Sequence, residues 1–169
     1  MGRGLSIKKF KDVVRQLAED CQNGSFLPYE EADLRAEAYS RIKDILQATT
    51  SVVNTEVRYY PYGEGTAADK CDLIVWDAWR PGQGGLSLAE RSPAFAVEFK
   101  YWGDAPSKML SAFENDLWRL SELGSPGQRI AFLYVNRRFR AHQQVLAAAR
   151  GLGVQYNLEV LVVDGTLLW

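Results

Sequence analysis

The stretch Ile130-Ala131-Phe132-Leu133-Tyr134-Val135 carries no charge, and a phenolic hydroxyl is its one polar side-chain group. Side chains alternate between the two faces of a strand, so a run of this kind has no wet face to offer. It belongs inside a sheet that is buried on both sides, which requires helices above and below. The chain supplies them. Apolar residues recur at helical spacing in Ile7, Phe10, Val14 and Leu17, in Leu34, Ala38, Ile42 and Ile45, and in Leu110, Phe113, Leu117 and Leu120. The spacings predict helices over about 6–21, 29–47 and 107–123, with a fourth, basic at its start, over about 138–150.

Strands are expected between them. Thr55 to Tyr60 alternates and is β-prone until Pro61; apolar runs follow at Leu73 to Trp76, Phe95 to Lys100, Ile130 to Val135 and Leu158 to Val163. Breaks fall at Gly24 to Pro28, Gly63-Glu64-Gly65, Pro81 to Gly85 and Gly124 to Gly127. The order α, α, β, β, β, α, β, α, β, without repeat, low-complexity tract or linker, reads as one α/β domain over residues 1–169. The Thr55, Asp72 and Phe95 strands should form an antiparallel meander. The Ile130 strand should join after a crossover helix.

Composition narrows the class. With 169 residues, 47% hydrophobic and 24% charged, the chain is that of an ordinary globular protein. No apolar stretch approaches the roughly 20 residues of a membrane span, and no signal peptide is evident. Cys21 and Cys71 have no metal-ligand spacing, so a reducing cytoplasm is the expected compartment. A lone histidine, His142, excludes paired-histidine zinc chemistry, and neither a G-x-S-x-G elbow nor a Walker-type phosphate loop is present. A net charge of −1 is low for a dedicated nucleic-acid binder.

Chemistry concentrates in Ala96-Val97-Glu98-Phe99-Lys100 and Cys71-Asp72-Leu73-Ile74-Val75-Trp76. Glu98 and Lys100, two apart on a strand, share one face. Two ionisable groups there cost stability unless they pair or hold an ion. A hairpin centred on Gly85 sets Asp72 opposite Glu98, thirteen residues to either side. Asp77, at the end of the same strand, is the rival upstream acid, whereas Asp69 precedes it. Two carboxylates and an ammonium are what a metal-dependent phosphodiesterase requires.

Four features in this order resemble the PD-(D/E)XK nuclease superfamily, the restriction-endonuclease-like fold. They are Glu37 in the helical Leu34-Arg35-Ala36-Glu37-Ala38-Tyr39, Asp72 in a strand, Glu98-Phe99-Lys100 in the next, and the helical Glu114-Asn115-Asp116-Leu117-Trp118-Arg119-Leu120 before a buried strand. The resemblance spans roughly Tyr29 to Val135, with Cys71 where the namesake pattern has proline. It implies a three-layer core, a mixed central sheet flanked by helices. It also implies a nuclease that hydrolyses phosphodiester bonds, in DNA before RNA, in prokaryotic or phage DNA processing or defence. Asp72 and Glu98 would hold Mg²⁺ or Mn²⁺ with the Phe99 carbonyl, Lys100 would orient or deprotonate the attacking water, and Glu37 would add a metal or water contact. Many such enzymes cut both strands as dimers, so a homodimer belongs to the same expectation.

Each residue has a plainer use. Glu98 and Lys100 could be an exposed pair on an edge strand, and Glu37 an i, i+4 partner of Arg41. Asp116 and Arg119 read as structural or surface groups. Arg137, Arg138 and Arg140 are the best basic patch for nucleic acid, ahead of Lys8, Lys9 and Lys11. Tyr101 and Trp102 could stack on bases, or pack beneath the site. A nuclease fold that has lost catalysis and serves as a binding or interaction subunit is the competing reading. An unrelated α/β binding protein would leave Asp72, Glu98 and Lys100 apart.

Overall fold

The computed structural model describes residues 7–46, 51–58, 69–76, 93–102, 106–123, 128–136 and 143–165. Helices α1 (Ile7–Asn23) and α2 (Glu31–Leu46) come first, then strands β1 (Val52–Arg58), β2 (Lys70–Trp76) and β3 (Pro93–Trp102). Helix α3 (Pro106–Glu122), strand β4 (Gln128–Val135), helix α4 (Gln143–Gln155) and strand β5 (Glu159–Asp164) complete the order. The five strands form one mixed sheet in sequential order. β1, β2 and β3 pair antiparallel, and β4 and β5 continue parallel to β3. Both parallel joins cross over through a helix, as parallel pairing requires.

The two faces of the sheet carry separate cores. Phe10, Val14 and Leu17 of α1 and Leu34, Ala38 and Ile42 of α2 pack on Leu73, Val75, Val97, Phe99, Ile130 and Phe132. Phe113, Leu117 and Leu120 of α3 and Leu146 and Ala149 of α4 cover Cys71, Ile74, Trp76, Ala96, Ala131 and Leu133 on the other side. Every side chain of β4 from Ile130 to Val135 is buried, so the apolar run sits in the middle of three layers. No helix among the described residues is long and apolar enough to cross a membrane.

Helix ends follow local chemistry. Gly24, at φ 79°, turns the chain out of α1. At the start of α2 the Asp33 carboxylate accepts the Tyr29 and Glu30 N–H groups at 2.7 and 3.1 Å, the reach-back of a capping box. Arg129 of β4 donates to the Leu120, Ser121 and Leu123 carbonyls, capping α3 with a cation where the helix dipole favours one.

Two elements depart from expectation. β1 begins at Val52 rather than Thr55, because Val52, Val53 and Asn54 pair with Trp76, Val75 and Ile74; residues 59–61 lie outside the described residues. α4 runs past Arg150 to Gln155 despite Gly151 and Gly153. Gly153 is a close-packing residue: a Cβ there would lie 2.5 Å from Val160 Cγ2. The helix stops at a Schellman motif, with Asn157 at φ 53°, its N–H on Val154 O (3.2 Å) and the Leu158 N–H on Gly153 O (2.8 Å). The expected start of this helix, Arg138 to His142, lies outside the described residues.

Candidate functional site

The β2–β3 register shifts once between Val75 and Trp76, and pairing fails a second time at Asp72. The β1–β2 register passes from Thr55↔Leu73 to Val57↔Cys71 without pairing Glu56 and Asp72, and the β2–β3 register ends at Leu73↔Val97. Glu56 sits at φ 53°, a left-handed conformation that costs a residue with a Cβ about 1–2 kcal/mol. Facing slips as well: Leu73 and Val75 point to the α1/α2 layer, while Cys71 joins Ile74 and Trp76 on the other side. β2 stops pairing with β3 just before the acid.

Side chains replace the lost ladder. The Asp72 N–H donates to Glu98 Oε2 at 3.1 Å, and the Phe99 N–H donates to Asp72 Oδ2 at 2.8 Å. Farther along β3 the Tyr101 N–H donates to Glu31 Oε2 at 3.3 Å, and the Cys71 thiol reaches the Val97 carbonyl at 3.5 Å. Each buried N–H left unpaired would cost about 1–3 kcal/mol. The carboxylates therefore hold the gap open while satisfying its edges. A strand residue turns its N–H and C=O to the same neighbour, so the Phe99 carbonyl also faces this gap.

Charged side chains from three layers converge here. Arg35 of α2 places Nη1 2.9 Å from both Asp72 Oδ1 and Glu56 Oε1, and Lys70 reaches Glu56 at 2.9 Å. Lys100 lies 2.8 Å from Asp116 of α3 and 3.7 Å from Glu31 of α2. Arg119 joins Asp116 (2.6 Å) to Asp69 (3.1 Å). Three of the acids are nearly sealed from solvent: Glu98 is 5% exposed, Asp116 5% and Asp72 7%.

Burial dominates the ionisation of the pair. It pushes Asp72 up to about 6, with Glu31 adding to the rise and the Phe99 N–H and Arg35 opposing it. Glu98 is driven well above the usual carboxylate range by burial first, then by Asp72 and Asp116. Burial alone would lower Lys100, but Asp116, Glu31 and Glu98 outweigh it and raise the ammonium above its ordinary value. Lys100 is held charged.

No family model matches this chain, and no curated protein matches it. What the site can do has to come from its own chemistry.

Asp72 and Glu98 meet as the hairpin geometry required: the register Leu73↔Val97, Ile74↔Ala96, Val75↔Phe95 extends to place one opposite the other. Lys100 shares their neighbourhood from the α3-facing side of β3. Glu37 does not come with them. It accepts from Arg41 at 2.8 Å, and Arg41 also grips Asp20 of α1 at 2.6 Å. The α2 residues that reach the gap are Glu31, in line with the apolar stripe, and Arg35 one turn on, on the flank opposite Glu37. Tyr101 is stacked on Tyr134 at 5.3 Å with its hydroxyl taken by Asn136, and Trp102 is buried, so both pack. Asp77, Arg137, Arg138 and Arg140 lie outside the described residues.

Sequence reasoning missed Glu31, Arg35 and Glu56 and set Asp116 and Arg119 aside as structural or surface groups. The signal for the last two was present: Asp116 and Arg119 are an i, i+3 pair beside the core stripe Phe113, Leu117 and Leu120.

Proposed function

We propose that this chain is a divalent-cation-dependent nuclease domain with a restriction-endonuclease-like core, hydrolysing phosphodiester bonds in nucleic acid, DNA being the first substrate to test. One observation carries the reading. Where β2 stops pairing with β3, the buried Glu98 carboxylate accepts the backbone N–H of Asp72, itself a buried acid, and Lys100 follows two residues along the same strand.

The residues fit a hard cation. The donors are all oxygens, the Asp72 and Glu98 carboxylates and the Phe99 carbonyl, which suits Mg²⁺ or Mn²⁺. Both carboxylates resist ionisation where they stand, and a divalent charge between them would relieve that cost. When bound, the cation would supply Lewis-acid activation of water and charge neutralisation at the phosphate. Lys100, held between Asp116 and Glu31, would stabilise developing negative charge and orient or deprotonate the attacking water. Glu31 takes the helix-borne acid place first expected of Glu37.

A second reading, a nuclease fold retained for binding without catalysis, is favoured by two observations. Arg35 already occupies Asp72, and among the described residues no three His, Cys, Asp or Glu side chains form a metal-holding group. Incubation of the purified protein with plasmid, single-stranded DNA and RNA, in Mg²⁺, Mn²⁺ or EDTA, separates the two. Cation-dependent cleavage lost in Asp72→Asn supports the enzyme. Binding without cleavage under every condition supports the second reading.

A further inference from the structure

At one edge of the sheet, Arg58 of β1 stands directly opposite Lys70 of β2 in the antiparallel register, and both are exposed. Like charges facing each other across a strand pair repel and cost stability unless an anion lies near them. The anion supplied is Glu56. Its Oε1 lies 2.9 Å from Arg35 Nη1 and its Oε2 2.9 Å from Lys70 Nζ, one cation to each oxygen. Two cations on two oxygens of one anionic group is also the arrangement that holds the non-bridging oxygens of a phosphodiester. The grip on Glu56 is made against the backbone: the residue sits at φ 53° and is left out of the β1–β2 ladder. It is also made at the surface. The Glu56 side chain is 45% exposed, so a solvent anion can take its place without opening either core. The Arg35 nitrogen that holds Glu56 also lies 2.9 Å from Asp72 Oδ1. An anion in the place of Glu56 therefore lies one guanidinium nitrogen from the proposed site of cleavage.

We propose that Arg35, Lys70 and Arg58 form a subsite for the backbone phosphates of a nucleic acid, with the Glu56 carboxylate as a tethered stand-in that a phosphate displaces. The inference rests on the nuclease reading and adds to it the contacts that seat a strand beside Asp72. A single small anion has to win both cations from a carboxylate already tethered beside them. A polyanion brings a neighbouring phosphate to Arg58 at the same time, and several contacts on one chain together outcompete the carboxylate. Glu56 thereby favours a nucleic-acid strand over free phosphate.

Fluorescence-anisotropy titration of a labelled duplex DNA in EDTA, where cleavage is silent, tests this with wild type, Glu56→Gln, Lys70→Met, their double variant and Asp12→Asn. Asp12, an exposed acid of α1 beside Arg15, is the control for lost negative charge. Glu56→Gln should tighten binding by about fivefold and steepen its salt dependence by about one phosphate contact. Asp12→Asn should stay within about twofold of wild type. In the Lys70→Met background Glu56→Gln should tighten binding by less than about twofold, because one of the two cations it releases is gone. Equal tightening in both backgrounds, or in Asp12→Asn, would mean that Glu56 acts only through net charge, and overturns the proposal. Unchanged affinity in Glu56→Gln overturns it too, and where wild type still cleaves DNA in Mg²⁺ the nuclease reading survives that result. Neither binding nor cleavage by any of these proteins removes both. Inorganic phosphate, titrated calorimetrically into Glu56→Gln, should bind at least about a hundredfold more weakly than the duplex; equal affinity would assign the cations to a free anion and overturn the proposal. Thermal melts identify a variant that fails to fold. Glu56→Gly, which takes a positive φ at no steric cost, should reproduce the gain of Glu56→Gln, and its failure to do so overturns the proposal.

Discussion

Burial, with repulsion from Glu31 at Asp72 and from Asp72 and Asp116 at Glu98, makes the native state hold protons on these two acids more tightly than the unfolded chain does. Ordinary values are 3.8 for Asp and 4.5 for Glu, whereas Asp72 is moved to about 6 and Glu98 upward with it. Above the unfolded values the native protein binds more protons, so stability falls as pH rises through that interval and beyond it, until both groups are ionised. In EDTA the melting temperature should therefore drop between about pH 4 and pH 7. Mn²⁺ should restore more of it at pH 8 than at pH 5, because the cation binds the ionised pair. A flat profile in EDTA would show that the two acids are not the strained groups. Asp72→Asn should abolish cleavage and weaken Mg²⁺ binding, since ligation of a hard cation needs the negative charge. Lys100→Ala should reduce turnover by about 10²-fold or more and also lower the melting temperature, because it leaves the buried Asp116 without the ammonium 2.8 Å away, and Lys100→Arg should not fully rescue turnover. Equal cleavage by all three proteins would make Lys100 a packing residue.

Among the elements, β2 and α4 show tertiary contact overriding local rules. β2 gives up pairing on both sides at Asp72, and carboxylates take over: Glu98 accepts the Asp72 N–H, while Asp72 and Glu31 accept the β3 N–H groups of Phe99 and Tyr101. α4 accepts two glycines because one of them lets it close on β5. The two glycines should respond oppositely to the same substitution. Gly151 has nothing within 4 Å of an added Cβ, so Gly151→Ala should stabilise by up to about 1 kcal/mol through helix propensity. Gly153→Ala should destabilise by about 1–3 kcal/mol, because its Cβ would meet Val160 Cγ2 at 2.5 Å and the Leu158 carbonyl at 3.2 Å. Urea melts of the two variants check the contrast, and a gain in both would mean that α4 does not depend on Gly153 for its seat on β5. The element order was legible because 3.6-residue and 2-residue periodicities are local properties. The choice between Glu37 and Glu31 was not. Glu31 lies in line with the α2 stripe Leu34, Ala38 and Ile42 and Glu37 on its flank, and the docking of α1 through Asp20 and Arg41 leaves Glu37 on the side away from the gap.

Across the whole molecule, the sheet is shared by both cores, with β4 inside each of them. Phe132 anchors the α1/α2 side and Phe113 the α3/α4 side, and both are fully buried. Phe132→Ala and Phe113→Ala should each cost about 3–5 kcal/mol, the usual range for a buried phenylalanine. Each variant should still unfold in one transition, because neither helical layer can leave without exposing a sheet that supports the other. Far-ultraviolet circular dichroism and tryptophan fluorescence, followed along the same urea gradient, should give coincident midpoints. Two separated midpoints would mean that the layers fold independently.

The sequence by itself determined the order of the nine elements and the facing of Glu98 and Lys100. Its spacing about Gly85 was consistent with Asp72 opposite Glu98, but Asp77 stayed a rival until the register Leu73↔Val97 was in hand. The α/β class followed too, because the uncharged run Ile130 to Val135 has no stable place except inside a covered sheet. Tertiary structure alone decided which charges share the gap. Asp116 and Glu31 come from opposite layers to the same ammonium, and Arg35 reaches Asp72 across 37 positions of chain. Ion pairs of this length depend on how helices seat on the sheet, and that seating is set by the fit of two cores rather than by any residue's neighbours in sequence.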